Sequence, residues 1–297
     1  MEYEDIVTVA VVNFKPEYGK KSANLKRMQG FCEAAAKQGA DIVLLPEMCL
    51  TGYDYYIDED ISIAEKITEA EYTKGPSAKA ISEIAKRYGI YIVYGAAELD
   101  HHNNDLYNSA FIISPEGILG TYRKIHPYGK ENTWCQKGNQ PCLLKTPWGP
   151  VGIGICYDTY QFPELMRHYV NQGARLYLNP TAQIEEINFD HSREHFKYYY
   201  QTHLEYGAAC NTIFIASSNL TGYDKFNYFA GGSVLLGPKI IPFTETDIYY
   251  YAGSPDNAQE GIFLATIDLS LATTPLVKNN EYSHTADYRP SLYRNFL

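Results

Sequence analysis

The sequence lacks several things that would have narrowed its function at once. It has no C-x-x-C pair. Its six cysteines (Cys32, Cys49, Cys135, Cys142, Cys156, Cys210) are scattered, which argues against a disulfide framework or a zinc knuckle. No run approaches the roughly 18 apolar residues that a membrane span needs. Basic residues are too few for a polyanion surface: 25 Lys and Arg against 35 Asp and Glu leave a net charge of -10. That balance excludes a broad nucleic-acid or anionic-membrane face and points to a small molecule or protein partner. Low-complexity segments and linkers are also missing. The first residues, "MEYEDIVTVAVVNFK", carry acidic groups where a secretory leader needs basic ones, so a cytoplasmic location is expected.

What is present is an alternation of short apolar runs and amphipathic segments over 297 residues. "DIVTVAVVNF" and "DIVLLPE" read as strands buried on both faces. Between them "SANLKRMQGFCEAAAKQGA" reads as a helix with Ser22 as N-cap and Gly39 past its end. A helix ("PSAKAISEIAKRYG") and two strands follow, and the second half repeats the order: "VGIGIC", "PELMRHYVNQG", "ARLYLNP", a long helix from Arg193 to Cys210, and "TIFIASSN". The class is α/β, with two similar halves that suggest two sheets face to face and helices outside. Residues 244–261 read as a long loop, and about 272–297 as a polar tail.

Three stretches carry chemistry. In "GIGICYDTYQFPE", Cys156 stands where an apolar strand gives way to a helix start. A lone cysteine is usually a small buried hydrophobe. At a strand's carboxyl end and a helix N-terminus, however, it sits where α/β proteins hold ligands and where a thiolate is favoured. In "LLPEMCLTGYD", Glu47 also follows a strand, and in "GTYRKIHPYGKENTW" strand alternation sends Arg123 and Lys124 to opposite faces. Glu47 and Cys156, both at strand ends, could face one cleft, and one of Arg123 and Lys124 can point inward while the other reaches solvent or a carboxylate.

These three motifs, in this order, resemble the nitrilase superfamily of carbon-nitrogen hydrolases. The resemblance implies a four-layer αββα sandwich spanning 1–297, built of mixed sheets, and assembly as a homodimer or larger with the tail in the interface. It implies Glu47 as general base, Lys124 as electrostatic stabiliser and Cys156 as nucleophile. Glu131 matches the family's second glutamate, with Tyr53, Tyr157, Asp158 and Thr181 in supporting or substrate-binding places. Neither metal nor organic cofactor is required, and the substrate is a small amide or ureido compound. Tyr157-Asp158 resembles the amidase and carbamoylase branches more than nitrilases proper, and "NPTAQ" with "DHSREHF" resembles N-carbamoylputrescine amidases. There Glu185 and Glu186 would offer charge to an amine. Nitrile hydrolysis by the same triad, or a non-catalytic scaffold, are the alternatives. Four residues, Thr159–Phe162, separate Asp158 from Pro163-Glu164 where related branches commonly have three. A second grouping, His191 and His195 four apart on a helix with His203 two turns on, mimics a zinc pair, but no third ligand of the right type lies nearby in the sequence.

Overall fold

A computed structural model describes residues 3–188, 190–239, 248–272, 280–286 and 288–293. In chain order the first half gives β1 (Ile6–Asn13), α1 (Lys21–Lys37), β2 (Ile42–Leu44), α2 (Tyr53–Ile57), α3 (Ile63–Glu69), α4 (Pro76–Tyr88), β3 (Tyr91–Leu99), β4 (Leu106–Ser114) and β5 (Gly117–Arg123). The second half gives β6 (Cys142–Thr146), β7 (Gly149–Ile153), α5 (Tyr157–Gln161), α6 (Pro163–Asn171), β8 (Leu176–Thr181), α7 (Ser192–Asn211) and β9 (Phe214–Asn219). A small ribbon, β10 (Thr221–Tyr223) and β11 (Tyr228–Ala230), precedes β12 (Val234–Pro238), β13 (Ile248–Gly253) and β14 (Gly261–Asp268).

The strands form two six-stranded sheets, ordered β14-β1-β2-β3-β4-β5 and β13-β12-β9-β8-β7-β6. Each has a parallel centre, β1-β2-β3 or β7-β8-β9, flanked by antiparallel strands. Central strands of this kind are covered on both faces, which is why they read as unbroken apolar runs. Val7, Val9 and Val11 of β1 share one buried cluster with Leu176 and Leu178 of β8 and Ile215 of β9, so the sheets pack face to face. Outside the first sheet, α1 and α4 bury Met28, Cys32, Ala35, Ile81 and Ala85 against Ile92 and Phe111. Outside the second, Met166 and Val170 of α6 and Leu204 and Ala208 of α7 pack on the same strands. This is the αββα sandwich. The layers are also pinned by a hydrogen bond: Ser218 Oγ donates to the Leu44 carbonyl at 2.6 Å.

Three local readings need correction. Helix α1 begins at Lys21 with no side-chain cap, so Ser22 lies inside the helix and is not its N-cap. Residues 248–253, read as loop, form β13 on the edge of the second sheet, where Tyr250 reaches Glu205 of α7 at 2.8 Å. Polar flanks hide this strand in the sequence; residues 240–247 lie outside the described part. Of the tail, residues 273–279, 287 and 294–297 also lie outside it, while Tyr288 accepts a hydrogen bond from Asn171 of α6 at 3.2 Å. Among the described residues no helix is long and apolar enough to cross a membrane.

Candidate active site

Glu47, Lys124 and Cys156 arrive from three strand ends. Glu47 follows β2 after Leu45 and Pro46, and β3 runs hard against its backbone. A Cβ on Gly95 would lie 2.4 Å from the Glu47 Cα, so only glycine permits the approach. Lys124 follows β5 and is fully buried, whereas Arg123 turns outward to Glu98 (2.8 Å) and Asp100 (2.7 Å). The alternation expected for this pair is what the strand produces.

The lysine ammonium sits between two buried carboxyl groups, with Nζ 2.7 Å from Glu47 Oε1 and 2.8 Å from Glu131 Oε1. Asn108 Nδ2 donates to Glu47 at 2.8 Å and to Glu131 at 3.3 Å, bracing both. Glu131 further accepts from the Tyr53 hydroxyl (2.7 Å) and the Tyr128 N–H (3.2 Å). Glu47 Oε2 is buried with no hydrogen-bond partner among the described residues, which leaves one oxygen open for a proton.

Burial works against the Lys124 charge, but Glu131 and Glu47 overcome it and hold the ammonium well above its usual range. Burial raises Glu47 above the ordinary carboxylate range, an effect Lys124 offsets only in part. The Cys156 thiol is pushed up by burial and by Glu47, with Lys124 opposing. At rest the site therefore holds a neutral thiol beside a carboxyl group that binds a proton more readily than a free glutamate.

Cys156 occupies the residue before α5 with φ 48° and ψ -105°, a conformation that costs a non-glycine residue about 1–3 kcal/mol. Its N–H is held by the Pro180 carbonyl at 3.1 Å and by Asn179 Oδ1 at 3.0 Å. Thr181 beside the thiol favours its ionised form, against the larger effect of burial, and the Thr181 hydroxyl accepts from Tyr160 at 3.1 Å. A cleft of about 270 Å³ opens over the sulfur, walled by Tyr53, Tyr128, Tyr157, Tyr160 and Tyr199 with Phe196.

The structure thus brings Glu47, Lys124, Glu131, Cys156, Tyr53, Tyr157 and Thr181 together. Asp158 is fully buried beneath the cleft and does not line it, so its place is supporting and not substrate-binding. Glu185 is withdrawn into a pair with Arg193 at 3.0 Å, while Glu186 stands on the cleft wall. The histidines of α7 do not converge: His191 is exposed beside Glu194, His203 bonds the Tyr199 carbonyl at 2.6 Å, and His195 faces the cleft. Among the described residues no three His, Cys, Asp or Glu side chains are placed to hold a metal. Sequence reasoning missed Asn108, Asn179 and Tyr160. An asparagine inside the apolar strands "LYNSAF" and "LYLNPT" is the signal that finds two of them, because a buried amide must be hydrogen-bonded.

The sequence model of the Carbon-nitrogen hydrolase family matches residues 8–274. The chain belongs to that family. This carbon-nitrogen hydrolase is 30% identical over 266 residues to the 2-oxoglutaramate amidase of Bacillus subtilis, covering 88% of this chain and 91% of the relative. It is 30% identical to a nitrilase of Pyrococcus abyssi over 236 residues (79% and 82%), and 32% identical to the omega-amidase NIT2 of Danio rerio over 260 (84% and 84%). Its fold matches the amidase of Nesterenkonia sp. AN1 with a TM-score of 0.75 over 98% of this chain and 97% of the other, at 21% identity. That amidase was captured with an acetamide moiety on its active-site cysteine. The relatives of this chain thus include both amidases and a nitrilase of the nitrilase superfamily of carbon-nitrogen hydrolases.

Proposed function

We propose that the hydrolase cleaves a small linear amide or N-carbamoyl compound through a thioester on Cys156. The observation that carries this is the Lys124 ammonium, buried between Glu47 and Glu131 beside Cys156, with Glu47 Oε2 unpaired. An amide is a poor electrophile, so the thiol must be deprotonated as it attacks. Glu47 Oε2 takes the Sγ proton while sulfur bonds the carbonyl carbon; the oxyanion is met by Lys124 Nζ and by the N–H of Tyr157, which has no acceptor inside the helix it begins. Collapse breaks the C–N bond, and the proton passes from Glu47 to the departing ammonia or amine. A water then gives its proton to Glu47, attacks the thioester and restores the thiol. Glu131, held by Tyr53 and Tyr128, keeps Lys124 aimed.

The test is chemical capture. After acid quench of the enzyme with hexanamide, intact mass should show the acyl group on Cys156. Cys156→Ala should show no adduct and lower ammonia release by at least about a thousandfold. Ammonia release by the alanine variant at the native rate would sink the assignment, and turnover confined to nitriles would move it to the nitrilase reading.

A second observation favours a substrate whose far end is cationic, such as a ureido-amine. Among the described residues no arginine or lysine lines the inner cleft, and in the adjoining outer cleft Lys130 is already paired with Glu59 at 2.7 Å. A substrate carboxylate would find no free cation there. Glu186 stands on the wall with no ion pair among the described residues, and tyrosine faces attract ammonium groups. Among amides of one length, 5-aminopentanamide should give a higher kcat/KM than hexanamide, and the monoamide of glutaric acid the lowest. Glu186→Gln should cut the cationic-to-neutral ratio about three- to tenfold, the scale of a partly exposed ion pair with a cation–π contribution. A ratio unmoved by the substitution would remove Glu186 from this role.

A further inference from the structure

Asp158 lies outside the cleft, yet four donors converge on it. Its Oδ2 accepts from the Tyr122 hydroxyl at 2.8 Å and the Ile155 N–H at 3.2 Å. Its Oδ1 accepts from the His126 N–H at 2.9 Å and lies 2.8 Å from His126 Nδ1. A carboxylate only accepts, so Nδ1 carries the proton of that bond. The donors come from two places. Tyr122 and His126 flank Lys124 along the chain, and Ile155 and Asp158 flank Cys156. One buried carboxylate therefore ties the segment that carries the ammonium to the turn that carries the sulfur.

The histidine ring is itself seated. It stacks on Phe162 with ring centroids 3.5 Å apart and planes 9° from parallel. Phe162 stands at the break between α5 and α6, the last of the four residues where related branches commonly have three. On its other side it meets Tyr157 edge-on at 5.3 Å, so the stack reaches the cleft wall.

We infer that His126 is a positioning residue: through Asp158 it fixes the Cys156 turn relative to Lys124, and Phe162 seats its ring. This rests on the proposed roles of Cys156 and Lys124. The Cys156 turn has an unfavourable φ, and a strained turn persists only where its surroundings over-determine it. Asn179 holds the turn from the β8 side, and Asp158 holds it from the β5 side. Without the imidazole, Oδ1 keeps a single backbone donor, and a buried carboxylate short of donors draws its neighbours out of place. Of the residues that donate to Asp158, Tyr122 and Ile155 are buried and His126 is partly exposed. It opens on a shallow surface cleft shared with Glu164, Leu165 and His168, so a replacement ring is accommodated.

The experiment compares His126→Phe, which keeps the stack and loses the donor, with His126→Asn, whose amide can still donate to Oδ1. Two rates are read on folded protein: hexanamide turnover, and iodoacetamide alkylation of Cys156 followed by mass spectrometry of its peptide. His126→Phe should lower kcat about tenfold with KM within about twofold, and slow the alkylation; His126→Asn should recover most of both. Native kcat and alkylation in His126→Phe would overturn the inference, as would a His126→Asn as impaired as the phenylalanine variant. Should His126→Phe not fold, Phe162→Leu removes the stack and keeps the donor. A kcat lowered about threefold supports the latch, and an unchanged one overturns it. Alkylation does not depend on turnover. A native chain that hydrolyses no amide, but whose alkylation slows in His126→Phe, would remove the proposed reaction and leave the latch standing.

Discussion

Lys124→Met is expected to lose both activity and a large part of the folding free energy. The substitution keeps most of the side-chain volume and deletes the ammonium that lies 2.7 Å from Glu47 and 2.8 Å from Glu131. Both carboxyl groups are fully buried, and breaking a buried ion pair from one side costs about 3–5 kcal/mol, because the remaining charge is left without compensation. Asn108 can still donate to both, but an amide carries no charge. The two carboxyl groups respond by sharing a proton, which raises the pKa of the pair. Its folded state then binds more protons than the unfolded chain, so the stability of the variant must fall as pH rises through that raised value and recover on acidification. Denaturant unfolding at pH 5 and pH 8 reads this directly, with kcat/KM measured alongside and expected to fall by more than about a thousandfold. A variant as stable as the native chain at pH 8 would contradict the buried geometry.

Glu47→Gln separates charge from fold. Its amide oxygen still accepts from Lys124 and Asn108, so the protein should fold, but it cannot take the thiol proton. Loss of a positioned general base costs roughly 100- to 10,000-fold in kcat/KM. The same role sets the pH profile of the native enzyme. Burial raises Glu47, and a base works only when ionised, so activity must be lost on acidification at a pH above the ordinary glutamate value of about 4.3. An acid limb at or below that value, or a glutamine variant with native kcat/KM, would assign the proton to another group.

Much of this arrangement was legible because it follows from periodicity. Val-rich runs mark the central strands, since strands covered on both faces have no reason to alternate. Strand alternation alone separates Lys124 from Arg123, and the strand-to-helix change locates Cys156. Partners set by distant segments were not legible. Nothing in "LYNSAF" says that Asn108 bridges two glutamates, because those arrive from other loops. Residues 248–253 failed for a different reason: "IYYYAG" is itself a strand-like run, but it is short and set between polar stretches that read together as one loop. Asp158 was placed at the site by motif but not in its depth, since burial of a carboxylate depends on four donors that no local pattern displays.

The first sheet closes through two strands far apart in the sequence. Ile6 pairs with Asp268 and Asn13 with Gly261, so β1 keeps one unpaired edge until β14 has been made. Pairings this far apart in sequence form slowly, and a bare strand edge recruits other chains while it waits. On the ribosome the Glu47 and Lys124 segments can be laid down early, but the layer that carries them stays open at one side until β14 emerges. Synthesis that stops before residue 261 should yield a chain prone to aggregate, whatever the state of its catalytic residues.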